Sequence, residues 1–308
     1  MAELAIRTEH LSRSFGSVQA VDDLSLEVPA GIVFGFLGAN GAGKTTTIHL
    51  LLGLLEPTGG QATVLGFNSR AQADQIRART GSLLEFNGLY ERMSAEDNLE
   101  LYGRIYHMPA ADRRARTKEL LVHLDLWDRR KDQVNKWSRG MKQKLAVARA
   151  LFHRPPLIFL DEPTSGFDPV AAAALRDDLA TLVKREGATV FLNTHNLAEA
   201  ERLCALVGVI RKGKLLALGN PDELRFKQGG PQAEIVGHGF TDELLALLRE
   251  RPEVASAEVQ NGHLILGLKG DSEVGPLVSL IVRHGGEVEE VRKGAASLED
   301  VFLTLMEE

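Results

Sequence analysis

The chain has 308 residues, of which 44% are hydrophobic and 25% charged, and its formal net charge is −6. This length predicts about two domains, and the composition excludes a disordered or fibrous chain. Because the total charge is negative, nothing in it indicates binding to nucleic acid.

The charge is unevenly distributed along the chain. Residues 231–308 contain 6 basic and 15 acidic side chains, whereas the first 230 residues contain 30 basic and 27 acidic ones. This asymmetry predicts a separate, acidic C-terminal module. The single cysteine, Cys204, excludes a disulfide framework, and its apolar neighbours favour a small core residue over a reactive thiol.

No segment of the sequence predicts export or membrane insertion. The N-terminus lacks the basic start and the apolar stretch of a secretion signal. The longest run without a charge, residues 28–43, contains a proline and five glycines and is shorter than the roughly 18 apolar residues that a membrane helix needs. We therefore expect a soluble, intracellular protein that reaches a membrane only through a partner.

Short apolar runs alternate with helical patterns over the first 220 residues. The helical patterns cover residues 142–152 and 170–185, and the runs predict strands at residues 32–37, 62–65, 157–160, 189–193 and 207–210, with residues 214–217 as a hairpin partner of the last. Buried strands that alternate with helices favour an α/β domain built on a largely parallel sheet. Residues 86–137 differ, because their leucines lie among many charges as in a surface helical lobe. The basic run at residues 113–116 is interpreted as a solvated helix face.

The C-terminal residues follow a different pattern after a boundary near residues 226–230. A first strand is followed by a helix (241–251), two strands (255–260 and 263–268), a helix (274–284), a strand (288–292) and a closing helix (297–306). Asn261-Gly262 between two alternating runs predicts a hairpin turn. The order βαββαβ predicts a ferredoxin-like module, in which we identify no catalytic constellation.

Residues 38–45, GANGAGKT, follow the apolar strand 32–37 and precede an apolar helix predicted over residues 46–55. This is the phosphate-binding pattern G-x-x-x-x-G-K-[ST] in its strand–loop–helix context. The glycines let the backbone N–H groups turn toward phosphate oxygens, and the helix N-terminus adds partial positive charge. Lys44 is expected to contact the β- and γ-phosphates, and the Thr45 hydroxyl to bind Mg²⁺.

A second candidate element is the run LIFLDE at residues 157–162. Its buried strand ends in two carboxylates, at the sheet edge where ligands bind in parallel α/β proteins. Asp161 is expected to hold Mg²⁺ directly or through water. Glu162 is then available as the general base that polarises the attacking water.

With these two elements, further segments resemble the motifs of the ATP-binding cassette (ABC) ATPases, in the family's order over about residues 3–225. The segment WSRGMKQ at 137–143 resembles the signature loop, whose usual form is LSGGQ. SGFD at 165–168 resembles the D-loop, His195 resembles the switch histidine, and Phe15 matches the aromatic that stacks on adenine. Each is weak alone, since such residues are usually structural, but together and in order they are specific.

The resemblance implies an α/β P-loop NTPase core at residues 1–228, with a helical subdomain at about 86–140, and a ferredoxin-like accessory or regulatory domain at 231–308. It implies an ATPase that uses ATP and Mg²⁺, with Lys44, Glu162 and His195 as catalytic residues. The implied ATP-binding residues are Phe15, Gly38, Ala39, Asn40, Gly41, Ala42, Gly43, Lys44, Thr45 and Thr46. The implied metal ligands are Thr45, Asp161 and Glu85, and the D-loop residues are Ser165, Gly166 and Asp168.

The resemblance also implies a divided active site. Ser138, Arg139, Gly140 and Met141 of the signature loop are expected to act in trans on ATP held by a second cassette, here most simply a second copy. ATP binding would join the two cassettes and hydrolysis would release them. The family powers transport, here predicted to be export, through a separate transmembrane subunit, which places the chain peripherally at the cytoplasmic face of the cell membrane.

Two motifs depart from the family pattern, at three positions. The signature loop has Arg139 and Met141 where the family commonly has Gly and Gln, although Ser138 and Gly140 are kept. Glu85 stands where the family normally has the Gln that reaches Mg²⁺ and links hydrolysis to the membrane partner. A carboxylate can still bind Mg²⁺; the alternative is a displaced surface acid.

The apolar cluster of the lobe and the C-terminal module extend the resemblance to partners. The residues Phe86, Leu89, Tyr90, Met93, Leu99 and Tyr102 suit a groove for a helix of the membrane subunit, or else pack the core of the lobe itself. The C-terminal module resembles the accessory tail of bacterial drug- and ion-exporter cassettes, where regulation or support of the dimer is its expected role.

Two other function classes remain as alternatives. An ABC ATPase acting on ribosomes usually carries two cassettes, and one acting on chromosomes needs long coiled coils; neither feature is present in this sequence. The absence of a basic stripe also weighs against nucleic acid as a partner. A catalytically silent nucleotide-binding scaffold is disfavoured because Lys44, Asp161, Glu162 and His195 are all present.

Overall fold

The computed structural model describes residues 3–85, 87–164, 167–228, 231–260, 262–269, 272–295 and 297–307. Contacts within the chain divide it into two compact units, Met1–Leu218 and Gly219–Glu308. Among the described residues, no helix is both long enough and apolar enough to cross a membrane.

Strands and helices follow one another closely in both units. Up to residue 219 they are β1 (Leu4–Phe15), β2 (Val18–Pro29), β3 (Val33–Leu37), α1 (Lys44–Leu51), β4 (Gly59–Val64), β5 (Phe67–Asn68), α2 (Ala73–Arg79), β6 (Thr80–Leu83), α3 (Ala95–Ile105), α4 (Ala110–His123), α5 (Arg139–Leu151), β7 (Leu157–Asp161), α6 (Pro169–Glu186), β8 (Thr189–Thr194), α7 (Leu197–Leu203), β9 (Leu206–Arg211) and β10 (Lys214–Gly219). From residue 221 they are α8 (Pro221–Gln228), β11 (Pro231–His238), α9 (Asp242–Arg249), β12 (Val254–Gln260), β13 (His263–Leu268), α10 (Gly275–Arg283), β14 (Glu287–Ala295) and α11 (Leu298–Glu307).

The central sheet of the first unit has the strand order β10-β9-β3-β8-β7-β6. Strand β3 pairs in parallel with β8 and β9, and β7 pairs in parallel with β6 and β8. The predicted α/β architecture is thereby confirmed. Because Leu37 is level with Thr194, and Asp161 with Asn193, the carboxyl ends of three neighbouring strands meet at one edge of the sheet.

Aromatic rings fill the core of this sheet. Phe34, Phe36, Phe159 and Phe191 are fully buried, and their ring centroids lie 5.1 to 6.1 Å apart in the contacting pairs. Cys204 is buried, as expected of a core residue, and burial raises the pKa of its thiol far above the ordinary value. Such a thiol stays protonated and unreactive.

A second, antiparallel sheet with the order β2-β1-β4-β5 was not predicted. The run at 62–65 is a strand, but it pairs antiparallel with β1 instead of joining the parallel sheet. Strands β1 and β2 pair with several register shifts, and His10 and Asp23 adopt positive φ angles of 51° and 55°. These irregularities break the alternation by which a strand is identified in a sequence.

The helical lobe contains α3, α4 and two short 3-10 helices, Trp127–Arg129 and Val134–Lys136. Ser94 caps α3 by accepting a hydrogen bond from Asp97 N. The interpretation of residues 113–116 as a solvated face is wrong for Arg113 and Arg116, whereas Arg114 and Ala115 are exposed. Arg116 is buried and donates to Leu151 O at 3.0 Å, and Arg113 pairs with Glu100 at 2.9 Å. Arg113 and Arg116 therefore join α4 to its neighbours, because their long side chains extend from the helix into the unit.

The second unit confirms the ferredoxin-like prediction. Its sheet has the order β12-β13-β11-β14, and each neighbouring pair is antiparallel. Gly262 has φ 84°, as a tight turn requires, whereas Asn261 of the predicted hairpin and Gly229-Gly230 of the predicted boundary lie outside the described residues. The contacts assign α8 to this unit, whereas the sequence division placed it in the first; the domain limits stay a prediction.

Candidate functional site

The glycine-rich loop 38–45 connects β3 to α1 at the carboxyl edge of the parallel sheet. Gly41 and Gly43 have positive φ angles of 78° and 109°, and Gly43 caps α1. A Cβ at position 43 would lie 2.3 Å from the Ala20 carbonyl oxygen, so only glycine fits where the loop passes β2. Helix α1 begins at Lys44 and ends at Leu51, earlier at both ends than the predicted 46–55. Left-handed residues before a helix N-terminus form the backbone concavity that binds anions.

Lys44 is held over this loop. Its side chain is 6% exposed, and Nζ donates to the carbonyl oxygens of Gly38 at 2.7 Å and Ala39 at 3.2 Å. Burial lowers the pKa of Lys44 from its ordinary value, and the carboxylates of Glu162 and Asp161 oppose that shift. The ammonium group therefore contacts the loop and is influenced by the charges of two acids, and an entering phosphate can accept hydrogen bonds from it.

Thr45, Asp161 and Asn193 form a connected polar group at the same edge. The Thr45 hydroxyl donates to Asp161 Oδ2 at 2.9 Å, and the Asn193 amide donates to Asp161 Oδ1 at 2.6 Å. A hydroxyl beside a carboxylate is the oxygen-rich donor set that Mg²⁺ prefers when nucleotide phosphates complete its coordination. Among the described residues, no group of three or more His, Cys, Asp and Glu side chains could hold a metal by itself.

Glu162 has an unusual backbone conformation. Its φ is 50°, in the left-handed region, and its N–H donates to Asn193 O at 2.9 Å. His195 Nδ1 lies 2.7 Å from Glu162 Oε1, within hydrogen-bond distance. Strain of this kind in a non-glycine residue concentrates at functional sites. The carboxylate of this residue is the group that contacts His195.

These groups surround a cleft of about 450 Å³. The predicted residues that line it are Asn40, Gly41, Gly43, Lys44, Thr45, Thr46, Glu85, Arg139, Asp161 and Glu162. The prediction did not include the lining residues Val18, Gln19, Ala20, Leu84, Gln143 and Asn193. Gln143 and Asn193 occur inside motifs that the sequence did identify, so their polar side chains were the available signal.

Of the remaining predicted residues, Phe15 lies beside the cleft without lining it. It pairs with Val18 across the β1–β2 turn, it is 45% exposed, and the Arg13 guanidinium lies 4.6 Å from its ring centroid. An exposed ring next to the cleft mouth is accessible to a flat base. His195, also outside the lining set, is reached through Glu162.

The signature loop forms the N-terminus of α5. Ser138 caps this helix by accepting a hydrogen bond from Met141 N at 3.3 Å, and the side chains of Ser138 and Arg139 are exposed. Gln143, one turn further, donates to Pro163 O at 3.1 Å, next to Glu162. The loop therefore presents its helix N-terminus outward, while Arg139 lines the chain's own cleft. Its action in trans stays a prediction.

The predicted D-loop is only partly described, since Ser165 and Gly166 lie outside the described residues. Asp168 caps α6 by accepting a hydrogen bond from Ala171 N at 2.9 Å, and this bond lowers the pKa of its carboxyl. In this chain Asp168 therefore has a structural contact. Phe86 also lies outside the described residues.

A larger crevice of about 730 Å³ lies between α4, α5 and α6. Its walls are mostly apolar, with His123 hydrogen-bonded to Asp178 at the rim. It contains neither the glycine loop nor the paired acids. The smaller polar cleft is therefore the candidate site for phosphate chemistry.

Comparison with known proteins gives consistent matches. A family model described as "ABC transporter" matches residues 21–165. The chain is 35% identical over 303 residues to the bacitracin transport ATP-binding protein BcrA of Bacillus licheniformis, which covers 98% of this chain and 97% of that protein. It is 36% identical over 310 residues to the daunorubicin resistance ATP-binding protein DrrA3 of Streptomyces coeruleorubidus, covering 99% and 96%. A solved ATP-binding subunit of an ABC transporter has a TM-score of 0.69 and 31% identity, and covers 73% of this chain and 94% of that one.

Proposed function

The chain belongs to the ATP-binding proteins of the ABC transporter family, and we propose that it hydrolyses ATP in the cleft of the glycine loop to power export through a separate transmembrane subunit. One observation carries this function. Lys44, the Thr45–Asp161 pair and Glu162, which His195 contacts from outside, converge on one cleft, although they come from distant parts of the sequence.

The residues of the cleft have separate roles in the transfer of the γ-phosphoryl group to water. The N–H groups of the loop and Lys44 bind the β- and γ-phosphates. Thr45 and Asp161 would hold Mg²⁺, which would neutralise phosphate charge at this position. Glu162 accepts a proton from the attacking water, and His195 orients its carboxylate through the 2.7 Å contact. Phe15 stacks on the adenine at the mouth of the cleft.

The signature loop supports a second cassette as partner. Ser138 and Gly140 lie at the exposed N-terminus of α5, where N–H groups can donate to the γ-phosphate of an opposing subunit. We propose that ATP joins two copies of this chain. The C-terminal module is assigned a regulatory or dimer-supporting role.

The test of this function uses Glu162→Gln. The amide cannot accept the proton of water, so hydrolysis should fall on the order of 10²- to 10⁴-fold, and the ATP-joined dimer should persist. Light scattering of this variant with Mg·ATP measures the mass directly. A strict monomer at all protein concentrations, in the presence of bound ATP, contradicts the divided site.

The transmembrane partner is tested at the lobe. Tyr90 is 52% exposed and lies 6.4 Å from the Tyr102 ring, whereas Leu99 is fully buried in the lobe core. We expect the chain to co-purify from membranes with a polytopic subunit, and Tyr90→Ser to weaken that association. Ile105→Ser, a change at a lobe residue 54% exposed, is the matched control. Recovery of the chain with ribosomes instead of membranes would favour an ABC ATPase that acts on ribosomes.

Glu85 is proposed to act at the metal. It is exposed and lines the cleft. Glu85→Gln should shift the Mg²⁺ dependence of hydrolysis, because a carboxylate and an amide differ in charge at the same position. An unchanged metal titration would identify Glu85 as a surface acid without a metal role.

A further inference from the structure

Glu85 and Arg139, the charged residues among the three positions that depart from the family pattern, line the same cleft. Glu85 follows β6 and Arg139 is the first residue of α5, yet both side chains are exposed and both line the 450 Å³ cleft that holds Lys44. They carry opposite charges. The sequence separates them by more than fifty residues, so only the fold brings them to one site.

Contacts between α5 and the segment after β6 fix these positions. Arg149, near the end of α5, donates to Ser82 O at 2.7 Å, and Lys142, near its start, pairs with Glu91 at 2.7 Å. Gln143 adds a bond to Pro163 O at 3.1 Å. Helix α5 is thus held along the segment that carries Glu85, and its first residue is kept at the cleft of its own chain.

With both residues counted, the ionisable side chains that line the cleft are two basic and three acidic ones. Apart from this pair, Lys44 faces the carboxylates of Asp161 and Glu162, which already give the lining residues a net negative charge. Glu85 alone would add a further negative charge against an entering triphosphate, and Arg139 removes it again. Charges at such partly solvated sites interact over several ångströms with energies that salt reduces.

We propose that Glu85 and Arg139 form a charge-compensated pair, in which Arg139 offsets within the same chain the repulsion that Glu85 exerts on the nucleotide's phosphates. This inference rests on the proposed function, because it concerns the same cleft and its triphosphate ligand. It gives Arg139 a role in nucleotide affinity that precedes dimer formation.

The experiment measures binding to the monomer without metal. A fluorescent N-methylanthraniloyl derivative of ATP is titrated in EDTA, at protein concentrations where light scattering shows a monomer. Removing Mg²⁺ separates the charge of Glu85 from any coordination by it. We expect Arg139→Gln to weaken binding by roughly 3- to 10-fold, Glu85→Gln to tighten it by a similar factor, and the double variant to return to within about 2-fold of the wild type.

Arg139→Lys is the matched control, because it keeps the positive charge on which the compensation depends, and its affinity should stay within about 2-fold of the wild type. The opposed effects should also shrink as salt is raised, which a change in folding would not produce. Wild-type affinity in Arg139→Gln, or weaker binding in Glu85→Gln, overturns the pair while leaving the proposed function intact. A wild-type chain that binds no ATP, indistinguishable from Lys44→Ala, overturns both.

Discussion

Both units of the chain contain polar and charged side chains, but their sheets place these side chains differently. In the first unit, parallel neighbours place the carboxyl ends of β3, β7 and β8 at one edge, and the glycine loop, Asp161 and Asn193 meet there. In the second unit all neighbouring strands are antiparallel. Its polar and charged side chains pair with one another on the strands, as His263 does with Glu234 at 2.7 Å and Arg292 with Glu290 at 2.8 Å. Sheet topology, more than composition, decides where polar groups converge.

Of the variants that distinguish the two units, Lys44→Ala is expected to have the largest effect. Lys44→Ala removes the charge that contacts the phosphates, so ATP affinity should fall on the order of 100-fold and hydrolysis to background. Titration with a fluorescent ATP analogue and a phosphate-release assay measure both. Lys118→Ala removes the same charge from an exposed position on α4 and should leave both unchanged. Equal losses in the two variants would mean that overall charge, and not this site, controls binding.

A core substitution in the second unit should lower the stability of that unit and leave ATP binding unchanged. Leu266 is fully buried on β13, level with Ala233 and Ala257 of the neighbouring strands. Leu266→Ala should lower the free energy of unfolding of this unit by about 2–5 kcal/mol through lost burial and a cavity, without changing ATP affinity. Leu247→Ala, at a residue 38% exposed, should cost much less.

The two tryptophans make this measurement specific. Trp127 and Trp137 both lie in the first unit, so their fluorescence reports its unfolding, whereas circular dichroism reports both units. In Leu266→Ala the dichroism transition should shift toward lower denaturant while the fluorescence transition stays in place. A joint shift would show that the two units unfold together.

Acid should destabilise the first unit through His153. Its ring stacks on Tyr106 with centroids 3.6 Å apart, and burial lowers the pKa of His153 from 6.5 to about 4. Between these values the unfolded chain binds a proton that the folded unit does not, so the free energy of unfolding falls as pH drops from 6.5 to 4. The expected loss is about 3 kcal/mol. Tryptophan fluorescence during denaturant unfolding at pH 7, 5 and 4 measures it.

His153→Phe keeps an aromatic ring for the stack and removes the titrating group. Its first unit should lose less stability between pH 7 and pH 4 than the wild type does, by the same amount of about 3 kcal/mol. An identical pH dependence in both proteins would assign the acid sensitivity to other groups.

The sequence predicted those features of the two units that are determined by short segments. The loop 38–45 and the acids after β7 were identified because their chemistry requires fixed spacing within a few residues. The βαββαβ module was identified because its strands and helices alternate without interruption. In contrast, β1 and β2 were missed because bulges and positive φ angles interrupt their patterns. The burial of Arg116 depends on a carbonyl 35 residues away, at Leu151.

The candidate site shows the same limit. Lys44, Asp161 and Glu162 were identified locally, but the contact between Glu162 and His195 joins residues 33 positions apart. The presence of Arg139 in its own cleft follows from how α5 packs beside β6. A single sequence gives the residue types of a site, whereas its electrostatic balance depends on the fold.

The smallest effect is expected at Phe15, the site residue that depends on the antiparallel sheet. Its ring is 45% exposed beside Val18, which lines the cleft, and it is expected to stack on the base of the nucleotide. For a ring this exposed we expect the loss of stacking to cost about 1 kcal/mol, the low end of the range for base–aromatic stacking, so Phe15→Ala should weaken ATP binding by roughly 5-fold. Inorganic tripolyphosphate, measured by calorimetry, has no base and should bind both proteins equally. Because every base has a stacking face, GTP should lose the same factor as ATP; a loss that also appears with tripolyphosphate would place the effect in the glycine loop instead of at the base.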